Sequence, residues 1–173
     1  MSKKVAILID HLFQDLEVTE PKKELEKNGY SVDVIGFQSG EEYIGKNGAK
    51  VKSNKSINDV SSKDYDGVVI PGGWAPDKMR MNEKMVRLVQ EINRAQKPIA
   101  SICHGGWMLA EADIIKGKKV TSYKAIKTDL KNAGASWLNE EVVIDGNLIT
   151  SRTPDDIPAF NRELIKALSK VTV

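Results

Sequence analysis

Residues 66–106 read DGVVIPGGWAPDKMRMNEKMVRLVQEINRAQKPIASICHGG, and this stretch decides the fold. Asp66-Gly67-Val68-Val69-Ile70 is a short β-branched run of the kind buried on both faces of a sheet, and Pro71-Gly72-Gly73-Trp74 cannot continue it. A loop therefore opens at Pro71. Asn82 to Ala95 then places Met85, Leu88, Val89 and Ile92 at helical spacing, Lys97-Pro98 resets the chain, and Ile99 to Ile102 forms a second apolar strand. Strand, helix, strand in that order is a βαβ unit, which implies a parallel pair joined by a crossover helix.

The alternation continues outward in both directions. Upstream, Val5 to Ile9 reads as a buried first strand, Leu16 to Lys27 as a helix stopped by Asn28-Gly29, and Val32 to Ile35 as a second strand. Gly36 to Asn58 changes to Gly, Ser, Asn and Lys with brief strand-like pieces at Glu42 to Ile44 and Lys50 to Lys52, a small hairpin excursion at the sheet edge. Downstream, a helix runs from Cys103 through Trp107, Met108 and Leu109 toward Ala112. Val120-Thr121 reads as a strand and Ile126 to Asn132 as a helix ended by Gly134. Glu141 to Ile144 and Leu148 to Thr150 form a hairpin turning at Asp145-Gly146-Asn147, and Asp155 to Ser169 is a closing amphipathic helix. The expected class is α/β with a mostly parallel central sheet, without internal repeats or low-complexity tracts.

A chain of 173 residues is long enough to bury a core, so one domain over 1–173 is expected. Lys plus Arg number 26 against 24 Asp plus Glu, and the resulting charge of +2 is spread along the chain, which gives no electrostatic case for a nucleic acid or an anionic membrane as partner. The basic start Met1-Ser2-Lys3-Lys4 precedes an apolar run too short for a signal peptide or a membrane span, so a cytoplasmic protein is expected. One cysteine permits no intrachain disulfide, and with two histidines it cannot complete the usual four-ligand structural zinc site. No metal and no cofactor are expected.

In open parallel sheets, ligand chemistry sits beyond the carboxyl ends of the central strands. Three loops qualify: Asp10 to Asp15, Pro71 to Asp77 and Cys103 to Gly106. The last follows Ala100-Ser101-Ile102 and has small residues two before and two after the cysteine, Ser101 and Gly105, which is what a nucleophile elbow needs. Cys103 is thus pushed out of the sheet at the amino end of a helix, where unpaired N–H groups favour the thiolate, and a lowered thiol pKa is expected. A small buried hydrophobe is the alternative for a lone cysteine. His104 is its chain neighbour, although adjacent residues on a tight turn generally point apart. His11, the only other imidazole, lies on the first qualifying loop. No histidine follows position 104, which excludes an α/β-hydrolase triad with its late histidine.

Asp15-Leu16-Glu17 with Pro21, Ile70-Pro71-Gly72-Gly73-Trp74-Ala75-Pro76-Asp77, Pro98-Ile99-Ala100-Ser101-Ile102-Cys103-His104-Gly105 and Thr150-Ser151-Arg152-Thr153-Pro154-Asp155-Asp156 together resemble the DJ/PfpI superfamily. The similarity is strongest to the branch of PfpI-type intracellular cysteine peptidases and general stress proteins, which includes proteins described as deglycases. The motifs span nearly the whole chain in the expected order. The resemblance implies a flavodoxin-like three-layer fold, with Cys103 as nucleophile and Glu17 as the buried carboxyl bonded to its sulfur. Such a contact requires Glu17 to be protonated or to share its proton. The resemblance also places the backbone N–H groups of Gly73 and His104 around an oxyanion, with Gly72 and Gly73 permitting close approach of a substrate; a plain glycine turn is the alternative.

In peptidase-like members the histidine matching His104 is oriented by an acid from a neighbouring subunit, and Asp77 holds that position here. This implies a homo-oligomer, dimer or hexamer, with the site near the interface. Those peptidases often carry the longer Glu at this position, and usually Glu where this chain has Gln14. Trp74 and Trp107 flank the two motifs as pocket walls or as core residues, and Arg152 lies in the last motif. The leading expectation is a cysteine hydrolase of peptides or small amides. A glyoxalase or deglycase acting on methylglyoxal or its adducts, with Glu17 as acid/base, is the second. A non-enzymatic stress sensor that oxidises Cys103 is the third.

Overall fold

The computed structural model describes residues 3–171. The chain runs β1 (Lys4–Leu8), α1 (Asp15–Lys27), β2 (Ser31–Gly36), β3 (Glu42–Ile44), β4 (Lys50–Lys52), β5 (Lys55–Ser56), β6 (Gly67–Ile70), α2 (Ala75–Met79), α3 (Glu83–Arg94) and β7 (Ile99–Ile102). It continues through α4 (Gly106–Glu111), β8 (Lys119–Val120), α5 (Lys127–Asn132), β9 (Ser136–Trp137), β10 (Val143–Asp145), β11 (Leu148–Ser151) and α6 (Ile157–Ser169).

The main sheet has seven strands in the order β10-β11-β7-β6-β1-β2-β5, parallel except for β10. α1 and α6 cover one face, and α3 and α4 the other. Strands β1, β6 and β7 are therefore buried on both sides, which is why they are continuous apolar runs rather than alternating ones. From β1 the chain winds outward first through β2 and then, after returning, through β6, β7 and β11. The order reverses between β1 and β6, and the loops after these two strands part there. The three-layer, flavodoxin-like expectation holds.

α3 shows how local signals fix an element. Asn82 caps it by accepting from the Lys84 and Met85 amides, both at 3.1 Å, and Met85, Leu88, Val89 and Ile92 form its buried face. Gln96, at φ 56, and Pro98 prevent its continuation.

Three details differ from the sequence reading. The β3–β4 hairpin has its expected strands, with Tyr43 opposite Val51, but it forms its own small sheet. The edge position is taken instead by β5, which pairs in parallel with β2. The strand expected at Val120 likewise pairs outside the main sheet, with β9, and α2 was not foreseen. Each departure involves an element of two to five residues, too short to show a hydrophobic period.

β7 ends in a turn packed against β6. A Cβ on Gly105 would stand 2.7 Å from the Ile70 carbonyl oxygen and 3.1 Å from that of Pro71. On Gly106 it would meet only the side-chain ends of Leu130 and Ile126, at 3.0 and 3.2 Å. Gly105→Ala is therefore expected to lower stability by about 2–4 kcal/mol and Gly106→Ala by less than about 1 kcal/mol, as read from urea midpoints.

Candidate active site

The elbow is formed as the small residues around Cys103 suggested. Ile102 is still extended, at φ −131 and ψ 146, whereas Cys103 has φ 61, a conformation strained for any residue with a side chain. A 3₁₀ turn over Cys103–Gly105 then leads into α4. Cys103 is only 7% exposed.

Glu17, in the first turn of α1, is fully buried under the sulfur. Its Oε1 accepts the Gly72 N–H at 2.8 Å, and the Cys103 thiol also interacts with the carboxyl. Oε2 is buried without a well-formed hydrogen bond. A Cβ on Gly72 would lie 2.7 Å from both Cys103 Cβ and Glu17 Oε1, so only glycine lets the three groups meet. The loops after β1 and β6 are stitched together here: Gln14 N–H donates to Gly72 O at 3.2 Å, and Trp74 N–H to Leu12 O at 2.8 Å. Gly73, at φ 78, bridges Phe13, and a side chain on it would run into the Leu12–Gln14 backbone.

The expected low thiol pKa is overturned. Burial first, and the charge of Glu17 second, push the Cys103 thiol up to about 12, against the amides of His104 and Gly73 and the charge of Lys46. Burial also lifts the Glu17 carboxyl to about 7, against the Gly72 amide, Lys46 and the thiol. The expectation from the helix terminus fails because burial of the sulfur, and after it the acid in contact with it, outweigh the N–H groups. Cys103 and Glu17 titrate as a pair that loses its first proton near neutrality. The two amides assigned by resemblance to an oxyanion point at the resting sulfur.

His104 is half-buried, with Nδ1 3.6 Å from Sγ. Its ring stacks on Tyr123 at 4.9 Å and meets Trp107 edge-on at 5.2 Å. Burial, with the charge of Lys46 behind it, holds the imidazole below its ordinary pKa and hence neutral. Among the described residues no carboxylate orients it. Asp77 is exposed on α2 with no side-chain hydrogen bond or ion pair among the described residues.

The DJ-1/PfpI family model aligns with residues 3–167. The chain belongs to the DJ-1/PfpI family. It is 45% identical over 168 residues to YraA of Bacillus subtilis, a candidate cysteine protease, with 97% of this chain and 99% of that one covered. It is also 45% identical over 170 residues to Protein/nucleic acid deglycase 2 of Escherichia coli, with the same coverage. Among solved structures, a two-domain protein of Anabaena variabilis with DJ-1/ThiJ/PfpI-like and ferritin-like domains superimposes with a TM-score of 0.95 at 43% identity. That match covers 97% of this chain and 48% of the other.

The remaining expected site residues make the following contacts. His11 serves the β3–β4 hairpin: Nδ1 accepts the Ile44 N–H at 3.3 Å, Nε2 lies 3.4 Å from Glu41, and the ring packs on Tyr43. Gln14 caps α1, accepting from the Glu17 N–H at 3.1 Å. Trp74 is 67% exposed, which removes the core reading, whereas Trp107 is partly buried against the core and donates to Asp129 at 2.9 Å. Arg152, one strand over from Cys103, grips Asp156 through two bonds of 2.9 and 3.0 Å and reaches Asn139 at 3.1 Å. With Tyr123 and Trp137 it lines a cavity of about 500 Å³ at this end of the sheet. A larger cavity of about 690 Å³, between Pro98, Asn147 and Lys166, lies at the opposite strand ends.

The sequence reading missed Tyr123 and Lys46. Neither stands in a motif; only the closely spaced Gly45 and Gly48 mark Lys46 as the tip of a turn.

The raised Glu17 carboxyl carries a stability cost. It is protonated in both states below about 4.5; between there and about 7 the folded chain holds a proton that the unfolded chain releases, so stability falls as pH rises through that window. The full cost, about 3 kcal/mol, applies above 7. Glu17→Gln keeps an acceptor for Gly72, and its urea midpoints are expected to show a gain over wild type about 2–3 kcal/mol larger at pH 8 than at pH 5.

Proposed function

We propose that this chain is a thiol-dependent enzyme acting on reactive carbonyl compounds, of the glyoxalase or deglycase kind. The observation that carries the reading is the buried Glu17 carboxyl at the Cys103 sulfur, poised to exchange a proton near neutrality. Cys103 Sγ bonds to the aldehyde carbon of methylglyoxal, and the carbonyl π pair becomes a hydroxyl that takes its proton through Glu17. In the resulting hemithioacetal, Glu17 removes the proton from the former aldehyde carbon and returns it to the neighbouring carbon, while the hydroxyl proton passes to the former ketone oxygen, so the adduct isomerises to a thioester without net oxidation. Water then releases a hydroxy acid and restores the thiol. The amides of Gly73 and His104 supply hydrogen bonds for the oxygen that gains charge.

Peptide or amide hydrolysis is the second reading, favoured by the 3.6 Å approach of His104 to the sulfur. It requires a neutral imidazole to accept the thiol proton while, among the described residues, no acid steadies the resulting cation. Asp77 would serve only from a second copy, so this reading demands an oligomer. Among the described residues no helix is long and apolar enough to cross a membrane.

A panel of wild type, Cys103→Ser, Glu17→Gln and His104→Ala with methylglyoxal and a peptide amide separates the two. Methylglyoxal turnover is expected to fall about a thousandfold in the first two variants and by less than about tenfold in His104→Ala. Peptide turnover abolished by His104→Ala, with methylglyoxal untouched by wild type, would establish the hydrolase instead.

A further inference from the structure

Beyond His104 the site continues into the cavity of about 500 Å³ lined by Tyr123, Lys124, Trp137, Asn139 and Arg152. The two are joined directly. The Tyr123 N–H donates to the Cys103 carbonyl at 3.2 Å, and the imidazole whose Nδ1 lies 3.6 Å from the sulfur stacks on the Tyr123 ring at 4.9 Å. Both aromatic walls are held in place by other groups. Tyr123 has His104 against it, and Trp137 has the Lys127 ammonium 5.2 Å from its ring centre while its indole N–H donates to Ser122 Oγ at 2.9 Å.

The polar part of the lining presents donors. Arg152 commits its guanidinium to Asp156, at 2.9 and 3.0 Å, and to Asn139 Oδ1, at 3.1 Å, which leaves the Asn139 amide N–H groups without a partner among the described residues. Lys124 is exposed, and its ammonium has no hydrogen bond or ion pair among the described residues. The nearby acids do not cancel it. Asp156 is 4% exposed with both oxygens bonded to Arg152, and Glu141, which also acts on Arg152, stands exposed outside the lining. Lys46, on the turn after β3, is outside the lining as well. Flat apolar walls with one unpaired ammonium and a free amide suit an aromatic ring that carries a carboxylate.

We infer that this cavity is the subsite for the part of the substrate remote from the sulfur, and that it selects 2-oxoaldehydes whose ketone bears an aromatic ring with a carboxylate on it. The inference rests on the carbonyl chemistry proposed above, and such substrates keep that chemistry balanced. A ketone stands beside the aldehyde, so the hydrogen leaving the aldehyde carbon has the ketone carbon to receive it, and water releases an aryl hydroxy acid. The ring lies between Tyr123 and Trp137, and its carboxylate meets Lys124 and the Asn139 amide.

Binding and turnover are tested separately, so the cavity is judged without the chemistry. The Trp137 indole N–H resonance, identified by its loss in Trp137→Phe, is followed during titration with benzoate, benzamide and acetate. Benzoate is expected to shift it saturably, with benzamide about tenfold weaker and acetate without effect. Lys124→Met should lower the benzoate affinity to that of benzamide, and Lys124→Arg should retain it. In parallel, wild-type kcat/KM for 4-carboxyphenylglyoxal should exceed that for phenylglyoxal by about tenfold, mostly through KM, and Lys124→Met should abolish the difference. No saturable shift with benzoate, or an unchanged benzoate affinity in Lys124→Met, overturns the subsite even if methylglyoxal is turned over. Equal kcat/KM for the two aryl aldehydes in wild type overturns the substrate assignment. A benzoate site at Trp137 in a protein that turns over no aldehyde overturns the carbonyl function together with that assignment, leaving only an aromatic-carboxylate site.

Discussion

The contact between the Glu17 carboxyl and the Cys103 thiol constrains everything around it. Two acids buried side by side cannot both ionise cheaply, so one proton is retained between them at neutral pH. The fold supports this arrangement from three directions. β7 delivers the cysteine on a strained turn, α1 brings the carboxyl from a different layer, and Gly72 at the end of β6 leaves the only space in which they meet. Because the order of strands reverses between β1 and β6, the three loops part at one point, and an elbow one strand away can reach into the gap.

A buried acid that lowers stability at neutral pH is a poor choice for a purely structural position, since a Gln would accept from Gly72 equally well. Retaining Glu is understandable if its proton is used. His104 is different. Its ring is steadied by Tyr123 and Trp107 rather than by an acid, an environment suited to a neutral imidazole and less suited to one that must become a cation. The loop that leads into α1 also accepts the backbone N–H of Lys46, which ties the β3–β4 hairpin to the site.

Much of this was legible in the sequence. The β-branched runs at Val5, Val68 and Ile99, separated by amphipathic segments, imply the parallel sheet, and Ser101 and Gly105 around Cys103 imply the elbow. The hairpin strands Glu42–Ile44 and Lys50–Lys52 were readable because Gly and Asn mark the turn between them. Glu17 was assigned by family resemblance, since no local pattern separates it from an ordinary first-turn carboxylate. The sign of the thiol shift was not legible: helix ends can be read from sequence, but burial and a through-space acid arise only when distant segments pack. Lys46 escaped for the same reason, its place being set by Asp15 across the hairpin.

The central claim is that Glu17 raises the pKa of the Cys103 thiol and so opposes its ionisation. The most direct test is the pH dependence of Cys103 alkylation by iodoacetamide in wild type and in Glu17→Gln. The thiol of the wild type should titrate above the free-cysteine range, and that of Glu17→Gln at least about one unit lower, because the neighbouring negative charge is gone. A wild-type thiol ionising below free cysteine, or one whose pKa stays the same or rises in Glu17→Gln, would contradict the account.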